Sequence, residues 1–118
     1  MSHDHNMPNG FSVREGSLFC EAVSADSLAQ RFATPLYVYS QTAITDAFAE
    51  WTDAFGGADH LICFAVKANS NIAILKLLAS LGSGFDIVSG GELRRVLAAG
   101  GDAGKVVFSG VGLSLIHI

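Results

Sequence analysis

Two residues of this sequence stand where their types could do chemistry on a small molecule: Lys67 and Asp86. Lys67 closes the apolar run Leu61-Ile-Cys-Phe-Ala-Val66, which reads as a buried strand. Alternate residues of a strand share a face. Ile62, Phe64 and Val66 therefore form a bulky face suited to packing against helices, while Cys63, Ala65 and Lys67 form one that stays small until the lysine. Small side chains beneath an amine leave room for a flat ligand. An amine held at the carboxyl end of a strand and partly desolvated has a lowered pKa and becomes a nucleophile toward an aldehyde. The plainer reading, a strand-end lysine reaching solvent, stands beside that one.

Asp86 lies in Gly84-Phe-Asp-Ile-Val-Ser89. Phe85 and Ile87 should pack outward, which turns Asp86 inward on the strand next to that of Lys67. A buried carboxylate needs a partner, and a lysine or a ligand nitrogen would serve. Backbone amides would serve equally, and would make it a structural aspartate. Ser89-Gly-Gly-Glu92 fits a capping box at a helix start, with Ser89 accepting from the amide of Glu92 and Glu92 reaching back to that of Ser89. A helix N-terminus beside a site also favours anions. Asn69 or Asn71 is placed to cap the helix after Lys67, and Ser109 and Gly110 end a further strand at the same rim. His60 precedes a strand and reads as exposed. His3-Asp4-His5 could hold a metal weakly but reads more simply as a solvated terminus. No Ser/His/Asp set, HExxH or paired zinc ligands appear, so no metal site is expected.

The elements that must position these residues follow from periodicity. Residues 1–10 read as a loose tail. Phe11 to Val23 reads as two short strands turning at Glu15-Gly16, and Ser24 caps a short helix reaching Phe32. Leu36-Tyr-Val-Tyr39, after Thr34-Pro35, has the composition of a strand. Ile44, Phe48, Trp51 and Phe55 then recur at helical spacing up to Gly56-Gly57. Beyond them strands beginning at Leu61, Phe85 and Lys105 alternate with helices whose apolar faces are Ile74, Leu75, Leu78, Leu81 and Leu93, Val96, Leu97. This is βαβαβ with short links, which predicts parallel strands covered by helices.

An open nucleotide-binding sheet would want GxGxxG after its first strand, yet Lys67-Ala-Asn-Ser-Asn71 contains no glycine. A phosphate loop of the GxxxxGK type is also missing. A barrel is therefore the better reading, although a complete one takes about 250 residues, and this chain has three of the eight strands.

Composition bounds the function. The chain has 118 residues, 50% hydrophobic and 15% charged, with a net charge of −4. That excludes a disordered chain and leaves no basic field for nucleic acid. No apolar stretch approaches the roughly 20 residues that cross a bilayer, and the polar start lacks the marks of a secretory signal. Cys20 and Cys63 form no CxxC pair and read as buried free thiols, which suits a reducing, cytoplasmic setting.

Phe64-Ala-Val-Lys-Ala-Asn69, Gly84-Phe-Asp-Ile-Val-Ser-Gly-Gly-Glu-Leu93 and Val107-Phe-Ser-Gly-Val-Gly112 occur in that order. Together they resemble the alanine-racemase-fold pyridoxal-phosphate-dependent decarboxylases, and most of all the branch acting on diaminopimelate. Thr34-Pro-Leu-Tyr-Val-Tyr39 resembles that branch's lead-in to the barrel, so the likeness runs from Phe11 to Gly112.

The resemblance implies an α/β fold: part of a (β/α)8 TIM barrel over residues 40–112, with 11–39 belonging to a second, β-rich domain. It implies that Lys67 holds pyridoxal 5'-phosphate covalently, that Asp86 lies beside the cofactor, and that Glu92 matches a glutamate common in the family. It further implies decarboxylation of meso-diaminopimelate to lysine, an amino-acid substrate, and a homodimer when the protein is full length. Ornithine- or arginine-type decarboxylation, and a non-catalytic cofactor-binding fragment, are the alternatives. Leu113-Ser-Leu-Ile-His-Ile118 departs from the family pattern, so residues 113–118 read as an atypical tail and the chain as truncated.

Overall fold

A computed structural model describes residues 7–111. The expectations for His3-Asp4-His5 and for residues 113–118 lie outside them. The chain divides into two compact units, Met1–Ala47 and Phe48–Ile118.

In the first unit, β1 (Phe11–Arg14) and β2 (Ser17–Cys20) pair antiparallel, and β3 (Val23–Ser24) adds to β2. The tight link at Glu15-Gly16 has φ of 49° and 80°. A two-residue hairpin turn of this hand needs positive φ at both positions, and glycine meets the second without a Cβ penalty. Helix α1 (Ala25–Phe32) starts where expected, with Ser24 Oγ accepting from the Ser27 amide at 3.1 Å. Leu36–Tyr39 is not a strand: it joins no ladder among the described residues, and Tyr37 is 87% exposed. Its composition suits a pleated, half-buried surface, but strand propensity forms nothing without a neighbouring strand.

Helix α2 (Gln41–Phe55) begins on two acceptors. Ser40 Oγ takes the Ala43 amide at 3.1 Å, and Glu21 Oε1 takes the Thr42 amide at 2.8 Å as well as the Ser40 hydroxyl at 3.2 Å. None of the residues of α2 is fully buried, and Trp51 is 62% exposed.

The second unit contains the parallel sheet that the alternating pattern predicts. Strands β4 (Cys63–Ala65), β5 (Gly84–Ile87) and β6 (Val106–Phe108) lie in that order, linked by α3 (Ile72–Ser80) and α4 (Gly90–Ala98). The strands are shorter than their apolar runs. Val66 leaves the ladder in a single 3₁₀ turn, Val66–Ala68, and Ala103–Lys105 forms another before β6. Val66, Leu75, Phe85 and Val96 are completely buried, with Ile74, Leu78 and Ile87 beside them. Burying a side chain of this kind contributes about 1.5–3 kcal/mol, so this cluster is the main source of stability in the unit. Leu97, expected on the same helix face as Val96, is 47% exposed.

Gly84 is required by proximity. A Cβ there would sit 2.6 Å from the Lys105 carbonyl oxygen and 2.8 Å from Cys63 Sγ, so a side chain would force β5 away from both neighbours.

Candidate active site

Parallel strands bring their carboxyl ends to one rim, and the residues singled out in the sequence collect there. On β4 and β5 the register sets Cys63 against Gly84, Phe64 against Phe85 and Ala65 against Asp86. Phe85 and Ile87 are buried toward the helices, so alternation puts Asp86 on the opposite face, together with Cys63, Ala65 and Gly84. On β4 and β5 that face is small apart from the carboxylate, and β6 adds Val107, paired with Asp86 and 44% exposed. Asp86 Oδ1 is buried and has no hydrogen-bond partner, the only such side-chain atom among the described residues. The inward turn read from parity is observed. The backbone-amide partners offered as the structural alternative are not there for this oxygen.

Cys63 is half-buried rather than buried. Burial and, after it, the negative charge of Asp86 push its thiol above the ordinary cysteine range. The thiol is thus a physical reporter of its carboxylate neighbour.

Lys67 is exposed and sits one residue past the end of the predicted run, inside the 3₁₀ turn rather than on the strand. Strand alternation therefore does not reach it. The turn closes with the Asn69 amide donating to the Val66 carbonyl at 3.1 Å, and Val66 anchors it in the core. Asn69 Oδ1 then accepts from the Asn71 amide at 3.1 Å, and Asn71 Oδ1 from the Ala73 amide at 2.9 Å, which starts α3. The asparagines that compete with regular backbone hydrogen bonding were the sequence signal for this early exit from the strand. Arg95 Nη1 donates to the Ser70 carbonyl at 3.1 Å, tying α4 to the loop that follows Lys67.

Ser89 caps α4 as expected, its Oγ accepting from the Glu92 amide at 3.1 Å. The return arm of the capping box differs: Glu92 Oε2 accepts from the amide of Val88, not of Ser89, at 3.2 Å. Ser109 continues the edge of the sheet, its amide donating to the Ile87 carbonyl at 3.1 Å. His60 is away from this rim; it is half-buried and not exposed as expected, because its ring stacks on Phe55 at 4.8 Å. Among the described residues no group of three or more His, Cys, Asp or Glu is placed to hold a metal, and no helix is long and apolar enough to cross a membrane.

A βα sheet whose carboxyl rim offers an exposed amine, a small-sided strand pair and a carboxylate with one buried, unpartnered oxygen suits a flat aldehyde that also carries a hydrogen-bond donor or cation. The comparisons agree with that class. Residues 41–118 match the pyridoxal-dependent decarboxylase, pyridoxal binding domain, and the chain belongs to that family.

It is 64% identical over 102 residues to diaminopimelate decarboxylase of Neisseria meningitidis serogroup B, covering 86% of this chain and 25% of that protein. It is 59% identical over 104 residues to diaminopimelate decarboxylase of Pseudomonas fluorescens, covering 88% and 25%. The crystal structure of diaminopimelate decarboxylase from M. jannaschii in co-complex with L-lysine matches with a TM-score of 0.83 and 37% identity, over 87% of this chain and 25% of that one. The chain thus spans about a quarter of the length of the curated relatives it matches.

Proposed function

We propose that this chain supplies the lysine-bearing rim of a pyridoxal 5'-phosphate-dependent decarboxylase that converts meso-diaminopimelate to L-lysine and carbon dioxide. The observation that carries the reading is the buried, unpartnered Oδ1 of Asp86, one ladder rung from the strand that delivers Lys67. An unpaired buried acceptor costs about 1–3 kcal/mol, and a ligand that donates to it removes that cost. Lys67 Nζ is exposed and thus free to bond to an aldehyde carbon.

When bound, pyridoxal phosphate supplies an electron sink for the pair left behind as carbon dioxide departs. Lys67 would hold that group through its amine, and the same amine, when free, would carry a proton. Asp86 gives the site a fixed negative charge that favours a cationic partner. The small side chains of Cys63, Ala65 and Gly84 leave the face open to a planar ring.

The same reading takes β4 to β6 with α3 and α4 as the first units of a (β/α)8 barrel over residues 40–112, and residues 11–39 as part of a β-rich second domain. It takes the working protein as a cytoplasmic homodimer. The choice of diaminopimelate over ornithine or arginine rests on the relatives' identities of 59–64%.

Two measurements on the intact protein test this. Borohydride reduction in the presence of pyridoxal phosphate should fix the label on the peptide holding Lys67; a label on Lys76 or Lys105 instead would remove the assignment. Carbon dioxide should be released from meso-diaminopimelate much faster than from ornithine or arginine, and the reverse order would overturn the substrate.

A further inference from the structure

We propose that Glu92 is a positioning residue of this site, standing in for the ladder rung that the Lys67 turn takes away; the inference rests on Lys67 and Asp86 forming the site proposed above. In a parallel ladder the amides of one strand point alternately to its two neighbours. The Gly84 amide donates to the Ile62 carbonyl at 2.8 Å, toward β4, while the Ile87 carbonyl accepts from Ser109, toward β6. The period of two then directs the amides of Asp86 and Val88 toward β4 as well.

The acceptor that a continuing β4 would offer Val88 is the Val66 carbonyl. That carbonyl is already engaged by the Asn69 amide at 3.1 Å, because the chain has turned into the 3₁₀ segment that carries Lys67. The turn therefore leaves the Val88 amide without a strand partner, two residues beyond Asp86. The Glu92 carboxylate fills the vacancy at 3.2 Å, while its own amide is held by Ser89 Oγ at 3.1 Å.

A standard capping box would spend the glutamate on the N-cap amide. Here it reaches one residue further, to the end of β5. The consequence is geometric: β4 can leave the sheet at Ala65 without β5 fraying at the same level, so Asp86 keeps its rung opposite Ala65 while Lys67 stands clear on its turn. The contact asks only for an acceptor oxygen, not for a charge.

The test is amide hydrogen exchange on the intact, cofactor-free protein, with Phe85 and Ile87 as internal controls, followed by reductive labelling of Lys67 with pyridoxal phosphate. In E92A the Val88 amide should exchange about five- to tenfold faster, the loss of one hydrogen bond, with the controls unchanged and labelling of Lys67 reduced. E92Q keeps an acceptor oxygen and should restore both. Unchanged Val88 exchange in E92A overturns the proposal, as does an E92Q protein that behaves like E92A, which would mean that charge rather than an acceptor is what matters. If E92A loosens throughout, the unmodified protein decides: a Val88 amide no slower than that of exposed Asp102 is equally fatal. Absence of label on Lys67 in every variant would fail the functional reading alone, while the exchange pattern still decides the role of Glu92.

Discussion

The two units of this chain are held together by different physics. In Phe48–Ile118 a packed apolar cluster, Val66, Leu75, Phe85 and Val96, is completely excluded from water. Among the described residues of Met1–Ala47 only Cys20 and Ser40 are buried, and the order comes from polar contacts: a hairpin turn, Ser24 on α1, and Ser40 with Glu21 on the start of α2. The same contrast recurs between the two faces of the parallel sheet. One face is apolar and covered by helices. The other carries small residues on β4 and β5, Val107 on β6, and a carboxylate oxygen with no partner. Apolar burial is thus concentrated on one side of β5 and the unpartnered carboxylate oxygen on the other, so the strand that bears Asp86 is held by its opposite face.

The largest effect, which separates the rim from the apolar core, is on function. Lys67→Ala should lower decarboxylation by the intact enzyme by about 10²–10⁴-fold, the span associated with losing a positioned proton-transfer group. Its melting temperature should stay unchanged, because Lys67 is exposed. Loss of folding in K67A would place the lysine among the structural residues instead. The opposite face should respond in the opposite way. Phe85→Ala should destabilise the protein by about 3–5 kcal/mol, as expected for a fully buried aromatic side chain. Denaturant titration reads this directly, and a cost below about 1 kcal/mol would mean that the face is not a core.

How much of this was legible in the sequence depended on whether the cause was local. The βαβαβ order, the Ser24 and Ser89 caps and the Glu15-Gly16 turn each follow from a few adjacent residues, and all are observed. The inward face of Asp86 followed from alternation within one strand. The failures needed information from another segment, except the exit at Val66, whose signal is the adjacent asparagines. Leu36–Tyr39 has the composition of a strand but no neighbouring strand. Val66 reads as one more strand residue until the Asn69 amide claims its carbonyl. Glu92 looked committed to Ser89, and only the interrupted ladder explains its bond to Val88. Lys67 was identified by its neighbours in sequence, yet parity put it on a strand that had already ended.

A smaller effect checks that the unpaired carboxylate and the thiol share a face. Burial and the charge of Asp86 both raise the Cys63 pKa, so less thiolate is present at neutral pH than for a free cysteine. Asp86→Asn removes the second cause and keeps the shape. The pKa should fall partway, and the rate of Cys63 alkylation at neutral pH should rise severalfold with Cys20 unaffected. An unchanged rate would place the charge elsewhere.

The smallest effect belongs to the polar unit. Hydrogen bonding from Thr42, with a lesser contribution from Ser40, outweighs desolvation and holds Glu21 below the ordinary glutamate range. A carboxylate whose folded pKa is depressed contributes its stabilisation fully above its unfolded value, about 4.3. That contribution is lost as pH falls through the lower folded value. The group is exposed, so solvent screens the effect and keeps it modest. It should nevertheless be local. The Thr42 amide resonance should titrate with a midpoint below that of a free glutamate, and Glu21→Gln should flatten the titration. The amides of Phe85 and Ile87 should not follow it, because their order comes from apolar burial, which has no charge to titrate. A Thr42 resonance that moves with the free-glutamate midpoint, or that still titrates in E21Q, would show that the start of α2 is not held by this carboxylate. The division between a polar and an apolar unit would then lose its clearest member.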